Sequence, residues 1–484
     1  MTYRDWDAHT NRLARALARH GVRRGDRVAY LLGGGEPLAS LHLAAQKLGA
    51  TSVPLSTRFG PDEVAYCLGD ASPTLLVTDD TTADAVTAAP CTHLEVSDLR
   101  SSADGERDAA LPDPPDERDL SVLLYTSGTT GRPKGVPRTH AAEHAAAVAH
   151  LVQTQQRPGE VTLGVMPLFH TMGLRTLLAT IVAGGTWVPQ ARFDADESLE
   201  LITTEGVTAL YLVPTIYWAL LHTGRLGDAT TVRRLAYAGA AMTPALAERL
   251  GEVLRPEVFV NHFGSTEIYT FSIGPDVLAK PGSAGRAGIF GRVRLVDPDP
   301  DAAPDAVVAP GEQGQVAVSM QSPEAFAGYW QRPDADAKSI RGGWYLTGDL
   351  AMSDEDGDLW VSGRVDDMIN SGGENLYPDE IEAALVRCPA VDDVVVVGIP
   401  DDQWGHAVTA FVLPRAGVAP DDAVRQVEQY ARDGSGLPSL KRPKRIVAVS
   451  TIPKSAVGKI LRRRLVAGEY EPLAELRTGR ERGA

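Results

Sequence analysis

From its first residues to about residue 260 the chain alternates between segments patterned for helix and segments patterned for strand. Residues 6–20 set Leu13 and Leu17 four apart on one helical face, and Gly21 then ends the run. "DRVAYLL" follows as an apolar strand, and "LASLHLAAQKLGATSVPL" and "DEVAYCLGDASPTLLVTD" repeat the same order. A strand apolar on both faces needs cover on both. A helix returning between successive strands supplies that cover and leaves neighbouring strands parallel. The rhythm therefore predicts an α/β fold of helix-covered, mostly parallel sheets, with no solenoid repeat. Two stretches interrupt it. Residues 101–119, rich in Asp, Pro and Ala, read as a surface linker, and residues 297–312 as an exposed loop in a smaller β region.

The character of the chain changes at residues 362–385, "SGRVDDMINSGGENLYPDEIEAAL". Before it, "GDLAMSDEDGDLWVSG" reads as a hairpin. After it, a helix from Pro378, the strand "VDDVVVVGIP" and further alternation predict a small α+β domain of about a hundred residues. The joint is expected at Asp366, separating a large domain of residues 1–365 from a small, mobile C-terminal domain of residues 366–484.

A formal net charge of −16 argues against nucleic acid or an anionic membrane as the main partner. Any anionic substrate must then be met by local basic groups. Cys67, Cys91 and Cys388 neither pair at metal-ligand spacing nor form a disulfide framework, which suits a reducing cytoplasm. The N-terminus carries no apolar leader, and "LLATIVAGGTWV", among the longest apolar runs, is broken by Gly184 and Gly185. Only 8 of the 47 basic residues are lysines, so a lysine in a motif is there as a lysine.

One motif stands out: "SVLLYTSGTTGRPKGV", residues 121–136. A buried-type strand opens into glycines and hydroxyls and closes on Lys134. Glycine backbone N–H groups, hydroxyl donors and one ammonium together suit phosphate. The spacing is not that of a P-loop, because Pro133 precedes Lys134 and the next helix is expected only after "VPR", with Thr139 as its N-cap. The loop thus reads as longer and looser than a P-loop. On composition alone it is equally a Gly/Ser/Thr connection without a ligand.

The full string YTSGTTGRPKG resembles the signature of the adenylate-forming superfamily, which includes acyl-CoA synthetases, carrier-loading adenylation domains and luciferases. Four further motifs match in that family's order: "NHFGSTE", "YLTGDL", "GRVDDMINSGGENLYPDEIE" and "PKSAVGKILRRRL". Taken singly, Glu267 reads as a surface acid, Asp349 as a turn residue and Lys459 as one more exposed base. Five in register do not. The resemblance implies an ATP-dependent, AMP-forming acid–thiol ligase using Mg²⁺ and CoA. Its nucleotide site would comprise Thr126, Ser127, Gly128, Thr129, Thr130, Gly131 and Lys134 on the β and γ phosphates, with Thr266 on the α-phosphate. Glu267 would hold Mg²⁺. Phe263, within Asn261–Glu267 (including Gly264 and Ser265), and the backbone of Gly239, Ala240 and Ala241 would flank adenine. Asp349 would hold the ribose, with Arg364 near it. Lys459 would bridge the attacking carboxylate and ATP, arriving from the small domain by rotation about Asp366.

The C-terminal part most resembles benzoate-type CoA ligases such as 4-chlorobenzoate–CoA ligase. That implies CoA contacts at Gly372, Gly373, Trp404, Lys441 and Arg442, although Leu440 stands where an aromatic residue is expected. Alternatively Trp404 packs the small core and "KRPKR" is a solvated loop. The acyl pocket is expected among His170, Thr171, Met172, Tyr211, Gly239, His262, Tyr269 and Thr270, with His170 either flanking the carboxylate or serving as a core histidine. So polar a wall suits a compact, aromatic, hydroxyl- or amino-bearing acid better than a fatty-acyl chain. Two other functions are weighed against a CoA ligase that works as a monomer or homodimer. One is a stand-alone enzyme loading a carrier protein. The other is an inactive nucleotide-binding scaffold, against which the joint presence of Lys134, Glu267 and Lys459 argues.

Overall fold

The first helix, Tyr3–Arg19, begins where Thr2 and Asp5 exchange hydrogen bonds in a capping box, and it buries Leu13, Ala14, Ala16 and Leu17. The computed structural model describes residues 1–126, 132–299, 303, 305–371, 374–401, 403–454 and 460–478, with backbone alone for residues 370, 374 and 375. The expected alternation is present. One sheet runs in the order Thr92–Glu95, Leu75–Thr78, Arg27–Leu31, Thr51–Pro54, Leu120–Thr126, Lys134–Thr139. Its pairs are parallel except for the last.

That last strand corrects one expectation. "KGVPRT" belongs to an antiparallel strand rather than to a long loop. Pro137 is tolerated because the strand lies at the sheet's edge, where a missing N–H breaks no inner ladder. Thr139 does cap the following helix, His140–Gln153, by accepting from the Ala142 N–H at 3.2 Å.

A second sheet orders Arg286–Ala287, Ser272–Gly274, Val258–Phe263, Arg234–Tyr237, Ala209–Leu212, Val161–Gly164, Thr186–Pro189. Its pairs are parallel except at the first two strands. Leu210, Leu212, Leu235 and Phe259 fill its core. A smaller sheet, Val293–Val296, Gly314–Ser319, Trp344–Ser353, Ile340–Arg341, carries Leu359–Arg364 on its long strand, as the hairpin reading required.

Chain contacts divide the protein into two compact units. The first comprises Met1–Arg294, Ala317–Leu346 and Gly357–Leu359; the second comprises Leu295–Val316, Thr347–Asp356 and Trp360–Ala484. Contacts alone thus draw the boundary upstream of Asp366, and Asp349 and Arg364 fall in the second unit. That unit's sheet orders Glu374–Leu376, Ile369–Ser371, Gly405–Pro414, Arg445–Val449, Pro472–Arg477, with Val391–Asp401 also on Gly405–Pro414. The helices Pro378–Leu385 and Pro420–Asp433 contribute Ile381, Leu385, Val424 and Val427 to its core. Among the described residues no helix is long and apolar enough to cross a membrane.

Candidate active site

The strands Leu120–Thr126 and Lys134–Thr139 pair up to the register Thr126↔Lys134, so the signature loop joins the ends of a hairpin. Ser127, Gly128, Thr129, Thr130 and Gly131 lie outside the described residues. Lys134 is described. Its Nζ sits 4.2 Å from the centre of the Tyr329 ring, a cation–π distance. The Tyr329 hydroxyl donates to Glu267 Oε1 at 2.7 Å. Burial, then the charge of Glu267, pushes the Tyr329 phenol well above its ordinary value, so it remains a donor. One tyrosine therefore joins the lysine of the first motif to the acid of the second.

Tyr329 is itself held. Its N–H donates to Asp336 Oδ1 at 2.8 Å, and the next N–H, of Trp330, donates to the Gly135 carbonyl at 2.8 Å. Gly328 has φ +124°, and a Cβ there would lie 2.8 Å from Asp336 Oδ2, so only glycine fits that turn.

The backbone of Thr266 and Glu267 is fixed from below. Ser265 Oγ accepts from the Glu267 N–H at 3.2 Å, and the Phe326 N–H donates to the Glu267 carbonyl at 2.9 Å. Arg138, fully buried and ion-paired with buried Glu143, donates to the carbonyls of Thr266, Glu267 and Glu324 at 3.3, 3.4 and 2.9 Å. A Cβ on Gly264 would stand 2.1 Å from the Tyr269 carbonyl, so the turn closes only on glycine. Asn261 donates from Nδ2 to the Ser283 carbonyl at 2.8 Å, and Phe263 meets Phe271 edge-to-face at 5.2 Å. Gly239, at φ +84°, Ala240 and Ala241 are exposed just beyond the strand Arg234–Tyr237.

Six of the eight residues expected around the acyl group are sealed from solvent, whereas His170 is half-buried and Gly239 exposed. Thr171, Met172, Tyr211, His262, Tyr269 and Thr270 are all buried. His170 is the N-cap of the helix Thr171–Val182, its Nδ1 accepting from the Met172 N–H at 3.3 Å. A Cβ on Gly239 would lie 3.3 Å from Val213 Cγ1 and 3.9 Å from Met172 Sδ, which sets Gly239 beside Met172.

In the second unit Arg364 Nη1 donates to Asp349 Oδ1 at 2.5 Å, past Gly348, whose Cβ would stand 2.9 Å from Arg364 Nη2. Asp366 lies in the 3-10 turn Val365–Asp367. Gly372, Gly373 and Lys459 lie outside the described residues. The segment leading to Lys459 and the one leaving it meet in a bridge, Lys454↔Ile460, and Lys454 pairs with Asp393 at 2.8 Å. Trp404 is half-buried, its N–H donating to Asp401 Oδ1 at 3.0 Å, with Lys444 Nζ 5.0 Å from its ring centre. Lys441 is ion-paired with Glu380 at 2.5 Å, and Arg442 Nε donates to the Leu437 carbonyl at 3.0 Å.

Sequence reasoning missed Tyr329, Arg138 and Glu143. A trace of Tyr329 was available in "GYWQRPDAD", where an aromatic residue follows a glycine just before a helix. Arg138, one residue before a helix cap, carried no mark separating it from a solvated base.

The first unit thus sets Lys134, at the end of a hairpin on a helix-covered, mostly parallel sheet, near the buried carboxylate of Glu267 through Tyr329, and the second carries the carboxylate of Asp349 on the strand Trp344–Ser353. Residues 1–330 match the AMP-binding enzyme family and residues 380–459 the AMP-binding enzyme C-terminal domain. The chain is 37% identical over 472 residues to a feruloyl-CoA synthase of Amycolatopsis sp, covering 96% of this chain and 92% of that protein. It is 32% identical over 479 residues to a 4-chlorobenzoate–CoA ligase of Arthrobacter sp, covering 96% and 89%. ATP-bound MatB from Rhodopseudomonas palustris superposes with a TM-score of 0.86 at 28% identity, covering 96% and 93%. The chain belongs to the AMP-binding enzyme family, the adenylate-forming superfamily, as an AMP-forming acid–thiol ligase.

Proposed function

We propose that the chain joins a small carboxylic acid to the thiol of coenzyme A in two steps. The acid's carboxylate attacks the α-phosphorus of ATP, giving the acyl-adenylate and pyrophosphate. The thiol then attacks the acyl carbon, and AMP leaves. The observation that carries the first step is the meeting of Lys134 and Glu267 on Tyr329. Displacement at phosphorus piles negative charge on the phosphoryl oxygens, and an ammonium fixed in advance stabilises that charge without reorganising. Thr126 and residues 127–131 would share the β and γ phosphates with Lys134, and Thr266 would meet the α-phosphate. Magnesium, when bound, would neutralise phosphate charge. Glu267 suits it as a buried carboxylate with Oε1 engaged by Tyr329, leaving Oε2 as the oxygen to hold the ion.

Phe263 and the backbone of residues 239–241 would flank adenine, with Asp349 on the ribose hydroxyls and Arg364 beside it. Rotation of the C-terminal domain about Asp366 would bring Lys459 for adenylation, then withdraw it and offer Gly372 and Gly373 to the thiol. Trp404 and Arg442 would meet the CoA nucleotide. The half-buried Trp404 supports that reading, with Lys444 near its ring and the Arg442 charge acting on Lys444. The acid is compact and aromatic, with a hydroxyl or amino substituent, and the enzyme works in the cytoplasm as a monomer or homodimer. A carrier-protein thiol as acceptor is the second reading, favoured by Lys441, whose charge is already met by Glu380.

The test is a panel of carboxylic acids scored for acid-dependent pyrophosphate release, with and without CoA. Acid-dependent release with a CoA thioester product is expected. Release without thioester formation would favour the carrier, and silence across the panel despite ATP binding would sink the ligase.

A further inference from the structure

Around Tyr211 and His262 of the expected acyl wall the structure gathers further polar groups. Tyr211 and His262 project from one face of the seven-stranded sheet, because Tyr211, Ala236 and Val260 are in register and His262 lies two residues on from Val260. The helix His140–Gln153 brings His150 to them. Ring centres stand 4.8 Å apart for His150–Tyr211, 5.3 Å for His150–His262 and 5.2 Å for Tyr211–His262. The helix Thr171–Val182 adds Arg175, whose Nη1 donates to the Tyr211 hydroxyl at 3.4 Å and whose Nη2 is 3.7 Å from Glu324.

Every member is at most 3% exposed, yet hydrogen-bonding capacity is left over. Among the described residues, both ring nitrogens of His262, Nδ1 of His150 and Nε of Arg175 are buried without a partner. A buried polar atom left unpaired weakens the fold, so four in one patch call for a ligand group that meets them. The charges say which kind. Two guanidiniums, Arg138 and Arg175, face two carboxylates, Glu143 and Glu324. Burial and the neighbouring Arg175 charge hold both imidazoles well below their ordinary pKa, hence neutral. A neutral imidazole offers one donor and one acceptor, which is what a hydroxyl, amino or carbonyl group needs. A second carboxylate would bring a charge with no spare cation to meet it.

We propose that His262, with His150 behind it and Arg175 bracing Tyr211, reads an uncharged hydrogen-bonding group at the end of the acid remote from its carboxylate. This rests on the reading of the wall above as acyl-binding, and it singles out the residues that select the acid.

The experiment compares kcat/KM for acid-dependent ATP–pyrophosphate exchange over matched triplets: benzoate, 4-hydroxybenzoate and terephthalate; cinnamate, 4-hydroxycinnamate and 4-carboxycinnamate; hexanoate, 6-hydroxyhexanoate and adipate. The hydroxyl member should lead the unsubstituted one by about tenfold or more in the scaffold that is best used, and lead the dicarboxylate by more. His262→Leu should bring the hydroxyl-to-hydrogen ratio to within about threefold of one, and His262→Asn, which keeps a donor and an acceptor, should restore part of it. His150→Leu gives the same readout should His262→Leu not fold. A ratio unmoved by both leucine variants, or a wild-type preference for the unsubstituted acid or the dicarboxylate, overturns the proposal. If only the aliphatic triplet is used, the aromatic reading fails while the polar one is still decided. If no acid supports exchange, the adenylation reading falls and takes this one with it.

Discussion

Arg138 and Arg462 each sit at the centre of a cluster of acids, one in each unit, and the two are built oppositely. Arg138 is fully buried, pairs with a single carboxylate and spends its remaining donors on the backbone carbonyls of Ala142, Thr266, Glu267 and Glu324. Its guanidinium also lies 3.6 Å from the Tyr269 ring centre. Arg462 is part-exposed and faces three carboxylates: Asp379 at 2.8 Å, Glu382 at 2.7 Å and Asp367 at 3.8 Å. Burial dominates at the two nearer acids and raises both, Glu382 up to about 7. The first cluster is balanced and tied to main chain, which suits a platform that must not move. The second is unbalanced and ties the turn Val365–Asp367 to the helix Pro378–Leu385 and to the segment that follows Lys459. That suits a region proposed to turn.

The largest effect should come from Arg138→Met. Removing one partner of a buried ion pair leaves the other charge unmet, so unfolding free energy should fall by about 3–5 kcal/mol. Denaturant titration followed through the first unit would measure it. Adding Glu143→Gln to the same chain should recover part of the loss, since the two side chains are coupled. A loss under about 1 kcal/mol would mean the platform is held by packing alone, and the contrast between the clusters would dissolve.

Why that platform escaped sequence reading is a matter of range. The parallel sheets, the cap at Thr139 and the hairpin before residue 365 were legible because each depends on neighbours within a turn or a strand. The strand Lys134–Thr139 was not, because Pro137 argues against a strand unless its edge position is known. Arg138 acts on carbonyls of residues 266, 267 and 324, and Tyr329 meets Glu267 across 62 positions. No local pattern encodes such partners. The residues proposed for the acyl wall were named from the sequence, but His150 and Arg175, packed against Tyr211, were not, since a histidine or arginine on a helix reads as solvated until the sheet beneath is in place.

The second break falls on the half proposed to turn. Lys459→Ala should slow adenylation by about a hundredfold, the scale of losing one preorganised charge, while largely sparing transfer from pre-made acyl-adenylate to CoA. Pyrophosphate release and thioester formation from synthetic adenylate separate the two. An equal fall in both would place Lys459 in a platform like Arg138's, and the proposed rotation would lose its purpose.

The smallest effect sharpens the contrast instead of breaking it. Arg462→Lys keeps one positive charge but loses the fork that reaches Asp379 and both oxygens of Glu382 at once. At a part-exposed site the stability change should be about 1 kcal/mol, read by hydrogen exchange in the strand Val391–Asp401, whose Val396 N–H also donates to Glu382. A purely structural arginine would leave the ratio of the two half-reactions untouched. If Arg462 positions the segment that follows Lys459, adenylation should fall several-fold more than thiolation, because only adenylation needs the lysine in place. Equal changes would reduce Arg462 to a strut, and the charge imbalance around it would then have no bearing on catalysis.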